Sequence, residues 1–203
     1  MMNNKAIILM SGGLDSVTAL SETINTYAIR FGLFFYYGQK AYKHEMRAVK
    51  EITDYYGIRM VITKLDWYEN LLDDMQTDWV PNRNGVFVNI ASAYAERLGI
   101  SNVIIGINKE EAAEFKDNSQ EFLDTVNAQL KYSTQNDVRV VAPFVNNTKD
   151  EIVQLAIKNQ VPLEMIYSCY RGEDRHCGEC KSCRFLKSAL IKNGKMDIIG
   201  KLF

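Results

Sequence analysis

The chain has 203 residues, 47% of them hydrophobic and 24% charged, with a formal net charge of −1 at pH 7. That length fits one domain with at most a small appendage, and the near-neutral balance excludes a global electrostatic pull toward nucleic acid or membrane. No basic-then-apolar leader opens the chain and the first apolar run is far too short to span a bilayer, so the expectation is a cytoplasmic globular protein.

Ala6–Met10 is an apolar run and reads as a buried strand. The hexapeptide Ser11-Gly12-Gly13-Leu14-Asp15-Ser16 follows it directly, and a helix from Leu14 to about Thr26 continues the chain, with Val17, Leu20 and Ile24 near helical spacing. The two glycines therefore occupy a strand-to-helix turn. Without Cβ atoms the backbone there can approach a bulky anion, and the positive end of the helix dipole favours phosphate. The loop lacks the Gly-Lys-Ser/Thr ending of the common nucleotide P-loop, and its glycines do not fall at the dinucleotide-fingerprint spacing. Asp15 would repel a bare phosphate, so it either orders the N–H groups of the loop or meets a bound Mg²⁺. The motif SGGxDS resembles the PP-loop of the ATP pyrophosphatase superfamily. The resemblance implies ATP cleaved between its α and β phosphates and AMP transferred to a substrate oxygen.

Ile29–Tyr36 is a second strand, closed by Tyr37-Gly38-Gln39. Ala41–Tyr56 has helical periodicity and ends at Gly57, a C-cap; Arg59–Leu65 is a third strand; Asp66 to Trp79 mixes a short helix with a loop. Val80-Pro81-Asn82-Arg83-Asn84 introduces a helix from Val86 to Leu98, followed by a fourth strand at Asn102–Ile107 and a polar loop from Lys109 to Ser119. Gln120–Leu130 is helical and Val138–Val141 is a fifth strand. Thr148 caps a helix through Lys158, with Glu151 three residues later completing a capping box. A cysteine-bearing segment and a basic helix end the chain.

Strands alternating with helices predict an α/β fold, a doubly wound parallel five-stranded sheet of the Rossmann-like type, over residues 1–160. Ligands of such sheets bind at the carboxyl ends of the strands. The Ser11 loop, Tyr37-Gly38-Gln39 and Gly106-Ile107-Asn108 all lie at those ends and are expected to converge on one pocket.

Residues 161–203 carry all four cysteines, Cys169, Cys177, Cys180 and Cys183. Two overlapping C-x-x-C units with a distant fourth cysteine suit a tetrahedral structural zinc site, and Gly178 permits the tight turn of the first pair. A redox-active pair and an iron–sulfur cluster are the competing readings. His176 reads as a solvated loop histidine, since four cysteines already complete a shell.

A PP-loop at one end and this cysteine pattern at the other resemble the 7-cyano-7-deazaguanine synthase family over nearly the whole chain. The likeness also rests on Tyr37-Gly38-Gln39 with Glu45, Val80-Pro81-x-Arg83-Asn84 and Ala93-Tyr94-Ala95-Glu96. Asn147-Thr148-Lys149-x-Glu151, Ser168-Cys169-Tyr170 and Cys177-Gly178-x-Cys180-x-Ser182-Cys183 complete it. It implies conversion of 7-carboxy-7-deazaguanine, ammonia and ATP to the nitrile, through an adenylated carboxylate and an amide. It further implies Mg²⁺ and structural Zn²⁺, a homodimer, and no stable nucleic-acid partner.

By this resemblance Met10, Ser11, Gly12, Gly13, Leu14, Asp15, Ser16, Val17, Tyr37, Gly38, Gln39 and Gly106 bind ATP. Arg83, Asn84, Asn108, Glu111 and Asp117 meet the deazapurine, and Asp15, Lys149 and Arg83 are the catalytic candidates. Without the resemblance Lys149 reads as a solvated first-turn lysine, Glu45 as a solvated residue on a helix face, and one of Tyr36 and Tyr37 as a core aromatic. Glu110–Ser119 departs from the family, which commonly has Ser-Gly-Tyr-Pro-Asp-Cys-Arg there. A PP-loop enzyme adenylating tRNA or a related nucleobase, and a non-enzymatic nucleotide-binding module, are the alternatives.

Overall fold

The computed structural model describes residues 4–72 and 79–203, apart from the side chain of Leu72. Five strands form one sheet: β1 (Lys5–Leu9), β2 (Ala28–Tyr36), β3 (Met60–Lys64), β4 (Asn102–Ile104) and β5 (Arg139–Val141). Their order is β3-β2-β1-β4-β5 and every pairing is parallel. Parallel neighbours need crossovers, and these place helices on both faces. Strand residues accordingly alternate between two apolar layers. Ala6, Ile8, Met10 and Phe34 join one buried cluster with α1 (Leu14–Thr23), α2 (Tyr42–Tyr55) and α7 (Lys149–Lys158). Ile7, Leu9, Leu33 and Phe35 join the other with α3 (Asp66–Leu72), α4 (Arg83–Arg97) and α6 (Gln120–Ser133). Each large side chain buried this way contributes about 1.5–3 kcal/mol.

The predicted strands and long helices are present, with informative differences at their ends. Helix α4 starts at Arg83 and not at Val86, because Asn82 takes a left-handed conformation (φ 52°) that turns the chain into the helix directly after Pro81. That shift makes Arg83 the first helical residue. The β4 ladder stops at Ile104, well before Ile107, although the Ile105 N–H still donates to the Val141 carbonyl at 2.9 Å. Beyond it Gly106 lies against the backbone of Asp15 and Ser16 at the start of α1. The polar stretch after it is not a plain loop. It holds a one-turn helix α5 (Lys109–Ala112) and a 3₁₀ turn at Lys116–Asn118. The short helix expected between Asp66 and Trp79 is α3; residues 73–78 of that stretch lie outside the described residues.

The basic helix is α8 (Lys181–Lys192), and a final helix α9 (Met196–Leu202) follows it. Leu186, Ala189, Leu190, Ile198, Ile199 and Leu202 of these helices enter the same buried cluster as α1 and α7. Among the described residues no helix is long and apolar enough to cross a membrane.

Candidate active site and metal centre

The sheet order reverses direction between β1 and β4, so their outgoing loops part and leave a crevice. A cavity of about 170 Å³ lies there. Its floor is the Ser11–Ser16 loop. Gly12 has φ +78°, and a Cβ on it would lie 3.0 Å from the Ala48 Cβ, so the loop is pressed against α2 where only glycine fits without strain. The Ser11 and Ser16 hydroxyls lie 3.2 Å apart, and the Ser16 Oγ donates to the Gly13 carbonyl at 3.1 Å. Gly13 is the N-cap of α1 and brings no side chain to that helix end.

Gly106 completes the floor. A Cβ there would stand 2.7 Å from the Asp15 carbonyl carbon and the Ser16 nitrogen, which are backbone atoms that cannot swing away. Gly106→Ala is therefore expected to push the loop away from the segment that follows β4 and, on the ATP-binding expectation from sequence, to weaken ATP binding about tenfold while circular dichroism remains native. Titration calorimetry with ATP checks this, and wild-type affinity in the variant would refute it.

Asp15, Lys149 and Glu111 form a buried ionic cluster on one wall. Lys149, only 6% exposed, opens α7, where the capping box of Thr148 and Glu151 sets the helix start. Its ammonium lies 2.7 Å from Asp15 Oδ2 and 3.1 Å from Glu111 Oε1. The solvated position expected for Lys149 from its residue type is thus corrected. Helix α7 aims the side chain inward, where two carboxylates offset its desolvation. Burial pushes the Asp15 carboxyl up, against the pull of Lys149. Burial pushes Glu111 up, but Lys149, Asn108 and Arg83 together hold it low; burial opposes the charge on Lys149, and the two carboxylates more than offset it.

Asn108 is fully buried; its amide donates to Asp15 Oδ2 at 3.0 Å, and its Oδ1 accepts from the Glu110 and Glu111 N–H groups. The Asp15 carboxylate therefore meets Lys149 and Asn108 rather than the N–H groups of its own loop. Its Oδ1 is buried with no hydrogen-bond partner. An acceptor oxygen left unpaired beside a phosphate-type loop fits a hard cation such as Mg²⁺.

The cavity lining also includes Tyr37, Arg83, Asn84 and Phe87. Arg83 Nη1 donates to the Tyr37 hydroxyl at 3.5 Å, and Phe87 stacks on Phe35 with centroids 4.2 Å apart. Tyr37 is the cavity aromatic, whereas the Tyr36 hydroxyl turns outward to Glu69. Of the other expected site residues, Met10, Leu14, Gln39 and Glu111 line the cavity. Gly12, Val17, Gly38, Asn108 and Asp117 are not on its wall: Val17 is buried in the core, Gly38 packs on Glu69, and the Asp117 carbonyl accepts from the Asn84 amide at 3.1 Å.

Glu45, expected on a solvated helix face, instead lines the cavity, because α2 runs directly behind Gly12. Tyr167, Ser168, Tyr170 and Ser182 also line it and were not assigned to it from sequence. Ser168-Cys169-Tyr170 carried the signal, but the cysteine drew attention to metal binding alone. The Tyr167 N–H donates to the Gly12 carbonyl at 2.8 Å, and the Leu14 N–H donates to Ser168 Oγ at 3.3 Å. The cysteine segment thus holds the phosphate loop at two points. His176 is buried, in contrast to its solvated expectation. Its Nε2 accepts from the Ser168 N–H at 3.0 Å between the rings of Tyr167 and Phe203, and burial holds it neutral, with its pKa lowered to about 4.

The four cysteines are free thiols whose sulfurs lie within 4.8 Å of one another. Gly178 takes φ +74° in the turn, and the Glu179 and Cys180 N–H groups both point at Cys177 Sγ, at 3.4 and 3.3 Å. The Cys177–Cys183 separation of 3.8 Å is nearly twice a disulfide length, and it matches the edge of about 3.8 Å of a tetrahedron of thiolates about 2.3 Å from one ion. The donor set therefore fits a single structural metal ion.

A parallel sheet ordered 3-2-1-4-5, an SGGxDS loop at its crevice and a buried Asp–Lys pair beside that loop define an ATP-binding protein of the PP-loop pyrophosphatase type. The sequence profile of the family described as "Queuosine biosynthesis protein QueC" matches residues 5–78 and 69–194. A 7-cyano-7-deazaguanine synthase of Carboxydothermus hydrogenoformans is 43% identical, over 91% of this chain and 97% of that protein. One of Methanosarcina barkeri is 37% identical over 97% and 99%. The chain belongs to the 7-cyano-7-deazaguanine synthase family. Solved structures share the fold at lower identity. NMN synthetase of Francisella tularensis has a TM-score of 0.58 at 18% identity, covering 99% of this chain and 83% of its own. The U34-tRNA thiolase NcsA of Methanococcus maripaludis, solved with its [4Fe-4S] cluster, has a TM-score of 0.55 at 17% identity, covering 98% and 70%.

Proposed function

We propose that this chain is an ATP-dependent carbon–nitrogen ligase that converts 7-carboxy-7-deazaguanine and ammonia to 7-cyano-7-deazaguanine. The observation that carries the reading is one cavity lined by two unlike sets of residues, joined to kinship with the synthases over nearly the whole chain. One set is the phosphate loop with the Asp15–Lys149 pair. The other offers Arg83 and a flat aromatic surface for a planar, carboxylated base. Substrate carboxylate and ATP α-phosphate then meet in one place, where positioning and charge stabilisation supply the catalysis.

In this reading Met10–Val17 with Tyr37, Gly38, Gln39 and Gly106 hold ATP. Asp15 Oδ1 receives Mg²⁺, which when bound neutralises charge on the departing pyrophosphate. Lys149 faces the same phosphates. Arg83 and Asn84 meet the deazapurine, with Asn108, Glu111 and Asp117 fixing the groups beside them. Residues 1–160 form the nucleotide-binding α/β domain and residues 161–203 the metal-binding segment. The metal is zinc. Sulfurs within 4.8 Å support that choice, since an iron–sulfur cage standing between four thiolates would spread them further apart. Reduced clustered thiols also support a cytoplasmic setting, and the homodimer implied by family is retained.

The tail is basic, but Arg171, Lys181 and Lys192 pair with Glu179, Glu114 and Asp150, which supports a small-molecule acceptor over tRNA. The test is mass spectrometry of the protein incubated with ATP, Mg²⁺, ammonium and 7-carboxy-7-deazaguanine, without tRNA. The amide and then the nitrile are expected. Absence of both would overturn the reading.

A further inference from the structure

The ligase reaction needs a neutral nitrogen nucleophile, yet ammonia near neutral pH is mostly ammonium. Neither Lys149 nor Arg83 can take its proton, because both side chains are cations, and Asp15 and Glu111 are occupied by Lys149. Among the described residues, one further carboxylate lines the cavity. Glu45 comes from α2, behind the phosphate loop, and its Oε2 accepts from Gln39 Nε2 at 3.0 Å.

The orientation of Gln39 is determined by two backbone groups: its Oε1 accepts from the Tyr37 N–H at 2.9 Å, and its Nε2 donates to the Phe35 carbonyl at 2.9 Å. It therefore must present N–H, not oxygen, to Glu45. The partner of this carboxylate is neutral, and among the described residues Glu45 forms no ion pair. The charged and titratable groups facing it are Arg83 from α4, Tyr37 after β2 and Tyr167 from the cysteine segment, all acting at longer range.

Resting on the ligase reading, we propose that Glu45 is the ammonium site and the base that releases the nucleophile. The carboxylate takes one proton from NH₄⁺. The nitrogen lone pair then attacks the acyl carbon of the adenylated carboxylate, the C–O bond to phosphate breaks, and AMP leaves with that electron pair. The added nitrogen loses a second proton to solvent, giving the amide. Burial raises Glu45 to about 7, against the hydrogen bond from Gln39 and the charge of Arg83, which suits a base working near neutrality.

The test compares wild type with Glu45→Gln, which keeps the shape and the Gln39 contact, and with Glu45→Asp, which keeps a base. Amide formation is measured from 7-carboxy-7-deazaguanine, ATP and ammonium between pH 6 and pH 9. At pH 7, Glu45→Gln is expected to lose about a hundredfold or more. The deficit should shrink as pH rises and free ammonia becomes abundant, and Glu45→Asp should keep a carboxylate-type acid limb. A deficit that is the same at every pH, or no deficit, would overturn the proposal. Absence of amide with the wild type would instead overturn the ligase reading on which it rests.

Discussion

Lys149→Met is expected to lower turnover by about 10²–10³ and to destabilise the fold at the same time. The lysine is the buried cation shared by Asp15 and Glu111, at 2.7 and 3.1 Å. Methionine fills its volume but leaves two carboxylates facing one another, and breaking a buried pair in this way costs about 3–5 kcal/mol. The pH dependence has a definite sign. Burial already raises Asp15 above its unfolded value, and loss of Lys149 raises it further. The folded variant then binds a proton that the unfolded chain does not, so its stability recovers as pH falls from neutrality toward 5. In the wild type, the part due to Glu111, whose folded pKa is lowered, is present above the unfolded value and lost as pH falls through the folded one. The part due to Lys149, whose pKa is raised, is present below its unfolded value and lost only at alkaline pH.

A double variant, Lys149→Met with Asp15→Asn, separates the two effects. It should regain much of the stability, since no unpaired charge remains at position 15, and none of the turnover. Urea unfolding at pH 7.5 and 5.5, alongside pyrophosphate release, measures both. Wild-type turnover in the single variant would remove Lys149 from the catalytic site.

Removing the metal is expected to have a comparably large effect at a distance. Cys169 and Cys183 are fully buried and pack with Ala41, Ala48 and Tyr167, so two unliganded thiols would be left in a core and two more, those of Cys177 and Cys180, at its edge. Structural thiolate sites contribute about 10–16 kcal/mol of apparent binding, as much as the whole stability of a typical domain. Even partial loss, about 5 kcal/mol, corresponds to a fall of about 10–20 °C in Tm for a chain of this size. ATP affinity should fall as well, although no cysteine lines the cavity. The reason is the pair of hydrogen bonds, Tyr167 N–H to the Gly12 carbonyl and Leu14 N–H to Ser168 Oγ, that seat the loop. Calorimetry of chelator-treated protein and of Cys183→Ser, with ATP titrated below the new Tm, checks this. Unchanged ATP affinity at a lowered Tm would show that the two contacts do not position the loop.

The strands, the phosphate loop and the cysteine quartet were legible because each is a local pattern. Alternating layers demand apolar runs such as Ala6–Met10, and a strand-to-helix turn pressed on α2 demands Gly12. A tetrahedral thiolate site demands cysteines at short spacing. Lys149, Glu45 and His176 were misread from residue type alone, because polar side chains default to solvent and nothing adjacent in the chain says otherwise. Lys149 and His176 are buried, and Glu45 is half-buried at the cavity. Asp15 meets Lys149 across 134 positions, and Leu14 meets Ser168 across 154.

Local sequence thus shows which parts are present: an SGGxDS strand-to-helix loop, a cysteine quartet with the spacing of a metal site and a parallel sheet to carry them, each a matter of short-range backbone geometry and hydrophobic periodicity. Which polar side chains share one low-dielectric cavity is a matter of the packing of α2, α7 and the cysteine segment around the β1–β4 crevice. That packing turns Lys149 from a surface cation into the partner of Asp15 and brings Glu45 to the cavity. Charge acts through space rather than along the chain, so the active-site electrostatics exist only once those elements have met.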